Sequence, residues 1–369
     1  MSVRIALLGD IILDVPDPDH WLGGVAAVTR SVDLAIGHLE VPHTRCGQEL
    51  VGDVPAPGAD PDHLAALVRA DISMLSMAGN HIADCGAVGI ADTVAELDRL
   101  GIAHTGAGKD LATALAPAIV ERGGRTIALL SYNCVGPEIA WAGENRAGCA
   151  FVRVRADDGG PARPQATLVD ADPASIIEMQ DRISDLRQQA DVVLVALHKG
   201  ITHRPAELAA YERPLSHAAI DAGADAVMGH HAHIIRGIEL YRDRPIFHGL
   251  GNGVVVTEAL SPAQDHPARA EWAERRRRMF GFEPDPAYHL APFHPQAVNG
   301  MVGLLDLADD GALHAAYLPM WSAPPGRPEV ARGERRDAIR RYVADISAAA
   351  NLPPCVMSER GDWLYIASG

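Results

Sequence analysis

Long apolar runs are missing from this 369-residue chain. No stretch approaches the ~20 apolar residues needed to cross a bilayer. The opening MSVRIALLGDIILD is interrupted by Asp10 and is too short an apolar run for a signal peptide. C-x-x-C pairs are missing too. Cys46, Cys85, Cys134, Cys149 and Cys355 are odd in number and far apart, which speaks against a disulfide framework and for reduced thiols in a cytoplasm. Positive charge is scarce: 32 basic against 48 acidic residues leave a formal charge of −16, which repels a phosphate backbone and argues against a nucleic-acid partner. The local exception is EWAERRRRMF (271–280), with Arg275 to Arg278 in a row. A solvated helix face is the plain reading of that run, and a docking patch for an acidic peptide segment is the sharper one. Together these absences predict a soluble cytoplasmic protein with no membrane partner.

What is present is an alternation of β-branched apolar runs with helical patterns. Residues 3–9, 33–37, 71–77, 117–121, 126–132, 191–197 and 225–229 read as strands, and a hairpin is expected within 234–250. Residues 61–70, 86–101, 173–190 and 207–223 read as helices, with Gly101 as the stop of the second and a proline interrupting the last. A charged, Pro-rich excursion fills 256–300, strands resume near 301–308 and 313–319, and a helix is expected over 334–350. Such alternation predicts a layered α/β domain whose strand-end loops carry the site.

Those strand ends finish in potential ligands. Asp10 closes the first strand, His38 and Glu40 follow the second, and Asn80 and His81 follow the third. His198 ends the strand at 191–197, while His230, His231 and His233 crowd the end of 225–229. Imidazoles and carboxylates converging from five strand ends predict a metal centre, although each residue alone is more often a surface or hydrogen-bonding group. Cys85, at a helix start, reads as a small buried filler rather than a nucleophile.

Five blocks carry a resemblance: GDIILD, AIGHLEVPHT, SMAGNHIADCGAVGIADTVAELDRLGIAHTGAG, VALHKG and GADAVMGHHAHIIRGIELYRDRPIFHGLGN. In this order they resemble the CapA-like (poly-γ-glutamate synthesis protein) family over most of residues 3 to 255. The resemblance implies an α/β calcineurin-like metallophosphoesterase fold, a β-sandwich flanked by helices in four αββα layers. It implies ligand roles for Asp10, Glu40, Asn80, His198, His231 and His233 toward a divalent metal ion, with His81 facing the reacting group. The mixed nitrogen and oxygen set suits Zn, Mn or Fe and admits Ca, with no organic cofactor. On this reading residues 1–328 form one metal-dependent domain, and 329–369 a helical extension packed on it.

Departures from the family pattern bear on the chemistry. Ile12 stands where metallophosphoesterases of this kind carry the histidine of Asp-x-His, so one of two metal positions loses a nitrogen. The usual NLE and NNH appear as HLE and GNH, and Lys199 replaces a common aromatic. Glu40, Asn80, His198 and His231 still make a four-ligand set, leaving Asp10 and His233 for a second ion or free, and His230 in support. Three readings follow. One is metal-assisted hydrolysis of a phosphoester or γ-glutamyl amide, with His81 assisting the leaving group. Another is epimerisation of one residue in a ribosomally made lasso-peptide precursor, as some CapA-like proteins perform. Asp10 would then serve one face of the Cα carbon and His294, or its neighbour His289, the other. The third is a carrier of peptide or polymer that keeps the ligands but needs neither His81 nor His294.

Overall fold

The strand Val3–Leu13 sets the architecture because both of its faces are buried. Val3, Ile5 and Leu7 point to one core, while Ala6 and Leu8 point to another, as strand alternation requires. Near-continuous apolar sequence, rather than alternation of apolar and polar, is what a strand covered on two sides demands. The computed structural model describes residues 2–47, 49–50, 58–260 and 267–369.

Val3–Leu13 lies inside a ten-stranded sheet, parallel to Leu34–Leu39 and Asn252–Val256 and antiparallel to Asn299–Leu307. A six-stranded sheet is built on Arg125–Asn133, Val192–His198 and Ala226–His230, all parallel. Between the sheets lie Ile5, Leu7, Ile36, Leu129, Leu194, Met228 and Phe247. The opposite faces bury helix residues: Leu22 and Val25 of Pro18–Thr29 and Leu97 of Gly86–Leu100 for the larger sheet, and Ile183 of Pro173–Arg187 and Leu215 of Glu212–Asp221 for the smaller. This is the four-layer αββα sandwich the resemblance implied.

The expected elements recur with shifted ends. Gly86–Leu100 stops at Gly101, whose φ of 70° is the left-handed cap that glycine adopts without a Cβ clash. Helix 207–223 begins only at Glu212, so Pro214 sits in the first turn, where no helical N–H bond is lost, and interrupts nothing. The excursion contains a helix, Pro267–Phe280, while residues 261–266 lie outside the described residues. The C-terminal region departs most from expectation. Its helix is Gly333–Ala349, but Cys355–Arg360 and Trp363–Ser368 then form a hairpin that joins the large sheet beside Leu313–Ala323. Ile339, Val343 and Ile346 of that helix reach the inter-sheet core, so this region is part of the sandwich rather than a helical extension upon it. Among the described residues, no helix is long and apolar enough to cross a membrane.

Candidate metal centre

Strand register brings the polar residues together. In the large sheet, Asn252, Asp10, His38 and Ser76 sit side by side in neighbouring parallel strands. In the small sheet, His230, His198 and Asn133 do the same. Because parallel strands end on the same side, two rows of potential ligands face each other across the mouth of the sandwich. The backbone at Asp10 is irregular, with register shifts toward both neighbours, which marks the end of regular pairing. His231 and His233 follow their strand with φ of 85° and 51°, and His203 has a φ of 62°. Left-handed backbone at three non-glycine residues around one site is the kind of local strain that functional sites retain.

Ligand-type atoms of Asp10, His38 and His198 lie within 4.8 Å of one another, as do those of Asp10, Glu40 and His233. The same cluster holds a concentration of buried polar atoms without hydrogen-bond partners: Asp10 Oδ1, His38 Nε2, Glu40 Oε2, His198 Nδ1 and His231 Nδ1. A native interior tolerates few such atoms, since each costs about 1–3 kcal/mol unless something else satisfies it. Mixed oxygen and nitrogen donors, converging and unsatisfied, fit a divalent metal ion.

The electrostatics agree with that fit. Burial, followed by the Glu40 charge, raises Asp10 well above the ordinary carboxyl value. Burial would also raise Glu40, but the His233 imidazolium outweighs it and holds the carboxyl at about 2. His233 Nε2 lies 3.2 Å from Glu40 Oε1, and its Nδ1 lies 3.6 Å from Asp10 Oδ2. Burial would lower His233, yet the Glu40 and Asp10 carboxylates raise it to about 9; this ring must give up its proton to serve as a ligand. Burial pushes His38 and His198 well below 6.5 and His231 to about 3, which keeps these rings neutral, the form that binds metals. His198 Nε2 lies 2.7 Å from Asn80 Oδ1, His231 Nε2 lies 3.1 Å from the Thr202 hydroxyl, and the His231 N–H donates to Asp10 Oδ2 at 3.3 Å.

A cavity of about 100 Å³ opens above the cluster. Asn80, His81, His231 and His233 line it, and so does Ile12. His81 Nδ1 lies 2.7 Å from Asp84 Oδ2, which orients the ring. Asp10 is fully buried beneath His231 and His233 and is not a lining residue. His294 lines a second cavity, separated from the first by Phe293, which borders both. Its ring lies 6.4 Å from that of His203, and its Nδ1 accepts the N–H of Gln296 at 3.1 Å. His289 lines neither cavity. His230 is a supporting residue: its Nε2 lies 3.3 Å from the Leu8 carbonyl and its ring stacks on His38 at 4.7 Å. Cys85 is buried, and burial raises its thiol to about 11, so it stays protonated.

Two site residues are not among the six implied ligands. His38, in the HLE triplet, belongs to the cluster, and the signal for it lay in the companion change to GNH. A Cβ on residue 79 would lie 2.9 Å from His38 Nε2 and 3.3 Å from His198 Cε1, so Gly79 makes room for this imidazole. His203 lines the cavity near His233, at a ring distance of 6.3 Å, and no strand-end pattern pointed to it.

Comparison with known proteins places this architecture in a lineage. The family described as "Bacterial capsule synthesis protein PGA_cap" matches residues 4–256. A Mycobacterium tuberculosis relative named "Probable polyglutamine synthesis accessory protein" is 30% identical over 259 residues, 67% of this chain and 63% of the relative. The Bacillus subtilis protein named "PGA biosynthesis protein CapA" is 29% identical over 234 residues, 62% of this chain and 55% of that one. The chain therefore spans less than two thirds of the length of either relative. A calcineurin-like phosphoesterase structure, YfkN from Bacillus subtilis, overlaps at 12% identity and a TM-score of 0.39, covering 95% of this chain and 97% of that one. The chain belongs to the bacterial capsule synthesis protein PGA_cap family.

Proposed function

We propose that this chain is a metal-dependent peptide epimerase, inverting one L-residue of a ribosomally made precursor such as a lasso-peptide precursor. The observation that carries the reading is the apolar cavity over the ligand cluster, where Ile12 stands in the place of the usual ligand histidine and Val41, Leu260, Phe280 and Phe293 add to the wall. Such a wall suits an apolar peptide side chain.

Glu40, Asn80, His198 and His231 would hold the ion, with His38 as an added nitrogen. A bound divalent ion supplies positive charge that polarises a substrate carbonyl oxygen. Asp10 lies beneath His231 and His233, and His294 lies behind Phe293 in the second cavity, so both must gain access to the substrate for this chemistry. Asp10 would then take the Cα proton on one face as the C–H bond breaks and its electrons delocalise toward the carbonyl oxygen. His294, protonated beforehand, would give a proton to the opposite face; Asp10 then releases its proton to water and His294 takes one up, which restores the starting state. The protonated His294 ring gives up the Gln296 N–H bond, which its Nδ1 now accepts. Five free cysteines support a cytoplasmic setting for this tailoring.

Hydrolysis is the second reading, and His81 favours it: the ring lines the cavity and is oriented by Asp84, as a leaving-group acid needs. Incubation with candidate peptides in deuterated water, with and without EDTA, separates the two. Epimerisation gives a mass gain of one deuterium at one residue without cleavage and is lost with EDTA. Released fragments or phosphate support hydrolysis instead. Asp10→Ala is expected to abolish exchange while metal stays bound; loss of the metal would mean that Asp10 is a ligand first.

A further inference from the structure

The run Arg275–Arg278 is not a uniformly solvated helix face. Arg277 pairs outward with Glu283 at 3.1 Å, and Arg278 with Glu274 at 3.9 Å. Arg276 turns inward and is only 7% exposed. Its Nη2 is buried with no hydrogen-bond partner, and no described carboxylate lies within ion-pair distance. Its close neighbours include two aromatic rings, those of Phe293 at 5.7 Å and Phe282 at 6.0 Å from the guanidinium carbon. Arg276 lines the cavity above the ligand cluster, together with Phe280, Phe293 and Ile12.

In a chain with sixteen more acidic than basic residues, a buried arginine with no acid beside it among the described residues is conspicuous. Burying an unpaired charge is costly, and proteins pair such groups or leave them for a ligand. Arginine's planar fork matches a carboxylate through two parallel N–H bonds. Burial lowers the group to about 10, so it remains charged at neutral pH.

We infer that Arg276 is the anchor for a carboxylate of the substrate, carried next to an apolar side chain that fills the aromatic wall of the same cavity. This rests on the peptide reading above and narrows it: the substrate residue is one whose α-carboxylate, or that of an acidic neighbour, reaches the cavity. Arg276 is thus a specificity-determining residue, separate from the ligands and from the acid–base pair.

The test is a binding measurement that needs no turnover, so its failure and the failure of the epimerase reading are distinguishable. Metal-loaded protein is titrated calorimetrically with N-acetylphenylalanine, N-acetylphenylalanine amide, N-acetyl-aspartyl-phenylalanine amide and phenyl phosphate. The expected result is that at least one of the two carboxylates binds, and that the amide binds about tenfold or more weakly, the usual effect of losing a charge-assisted bond. Binding of N-acetylphenylalanine identifies the α-carboxylate as the source; binding of the aspartyl probe alone identifies a side chain. Arg276→Gln should remove the preference for acid over amide, and Arg276→Lys should retain part of it, with metal content and melting temperature matching the wild type in both. Equal binding of acid and amide, no binding of either carboxylate, or an unchanged preference in Arg276→Gln would overturn the assignment. Tighter binding of phenyl phosphate than of both carboxylates would overturn it in favour of a phosphate subsite.

Discussion

His198 and Lys199 are neighbours in sequence and belong to opposite kinds of interior. His198 enters the ligand cluster, where carboxylate and imidazole atoms are left without partners. Lys199, also fully buried, enters a network in which nearly every polar atom is answered. Its ammonium donates to Glu212 at 3.0 Å and meets His248 Nδ1 at 3.2 Å; Arg236 donates to the same Glu212 oxygen at 2.7 Å. His248 continues to Glu239, which also accepts from Arg213. Side chains on consecutive residues of an extended chain point to opposite sides, so one strand end serves both clusters. The difference teaches what burial of charge means here. The closed network needs nothing more and braces the strand end, whereas the open cluster is complete only with a ligand.

Breaking the closed network should have the largest effect. Glu212→Ala leaves Lys199 and Arg236 buried without their acid and should cost about 3–5 kcal/mol of stability, read from the urea midpoint. A loss under about 1 kcal/mol would mean that this network is no brace. The open cluster should respond in the opposite sense. Glu40→Gln should weaken divalent-ion binding about a hundredfold, roughly 2.7 kcal/mol, by calorimetric titration. In EDTA the same variant should lose less stability than Glu212→Ala, because it leaves one imidazolium that can give up its proton rather than two buried cations. A metal-free destabilisation as large as that of Glu212→Ala would erase the distinction.

Acid sharpens the comparison further. Burial would raise Glu239, but bonds from His248, Arg213 and His217 hold it at about 2, below its ordinary 4.5. A lowered carboxyl stabilises the fold above its unfolded value and loses that contribution as pH falls through the folded one. Glu239→Gln should therefore trail the wild type by about 2 kcal/mol near neutrality and converge with it between pH 4.5 and about 2. A gap that stays constant over this window would sink the assignment. Cys85 belongs to neither cluster. Cys85→Ala should cost about 1 kcal/mol in thermal melts and leave metal content unchanged, the smallest effect of the series.

Much of this arrangement was legible in the sequence, and the exceptions have physical causes. The two-sided strands and the helix ending at Gly101 are local patterns, and the six implied ligands sit at strand ends that could be counted off. The final hairpin was missed because Cys355–Arg360 is largely exposed, so its side chains follow no buried alternation. The inward turn of Arg276 was hidden because four successive arginines cover every face of a helix, and only packing selects one of them. His203 lies in a loop with left-handed backbone, a conformation that no apolar period announces. His38 was visible as a residue, but its role depends on a glycine 41 positions away.

That glycine couples two positions into a single inherited word. The His38 ring is wedged between His230 and His198, with centroids 4.7 Å and 4.6 Å away, and its Nδ1 is tied to Ser76 at 3.0 Å. It has no direction in which to retreat from a side chain at residue 79. A lineage could acquire His38 only after, or together with, the loss of that side chain. Descendants should keep or discard the two together, which makes the HLE and GNH spellings a joint marker for tracing which members of the family share this centre.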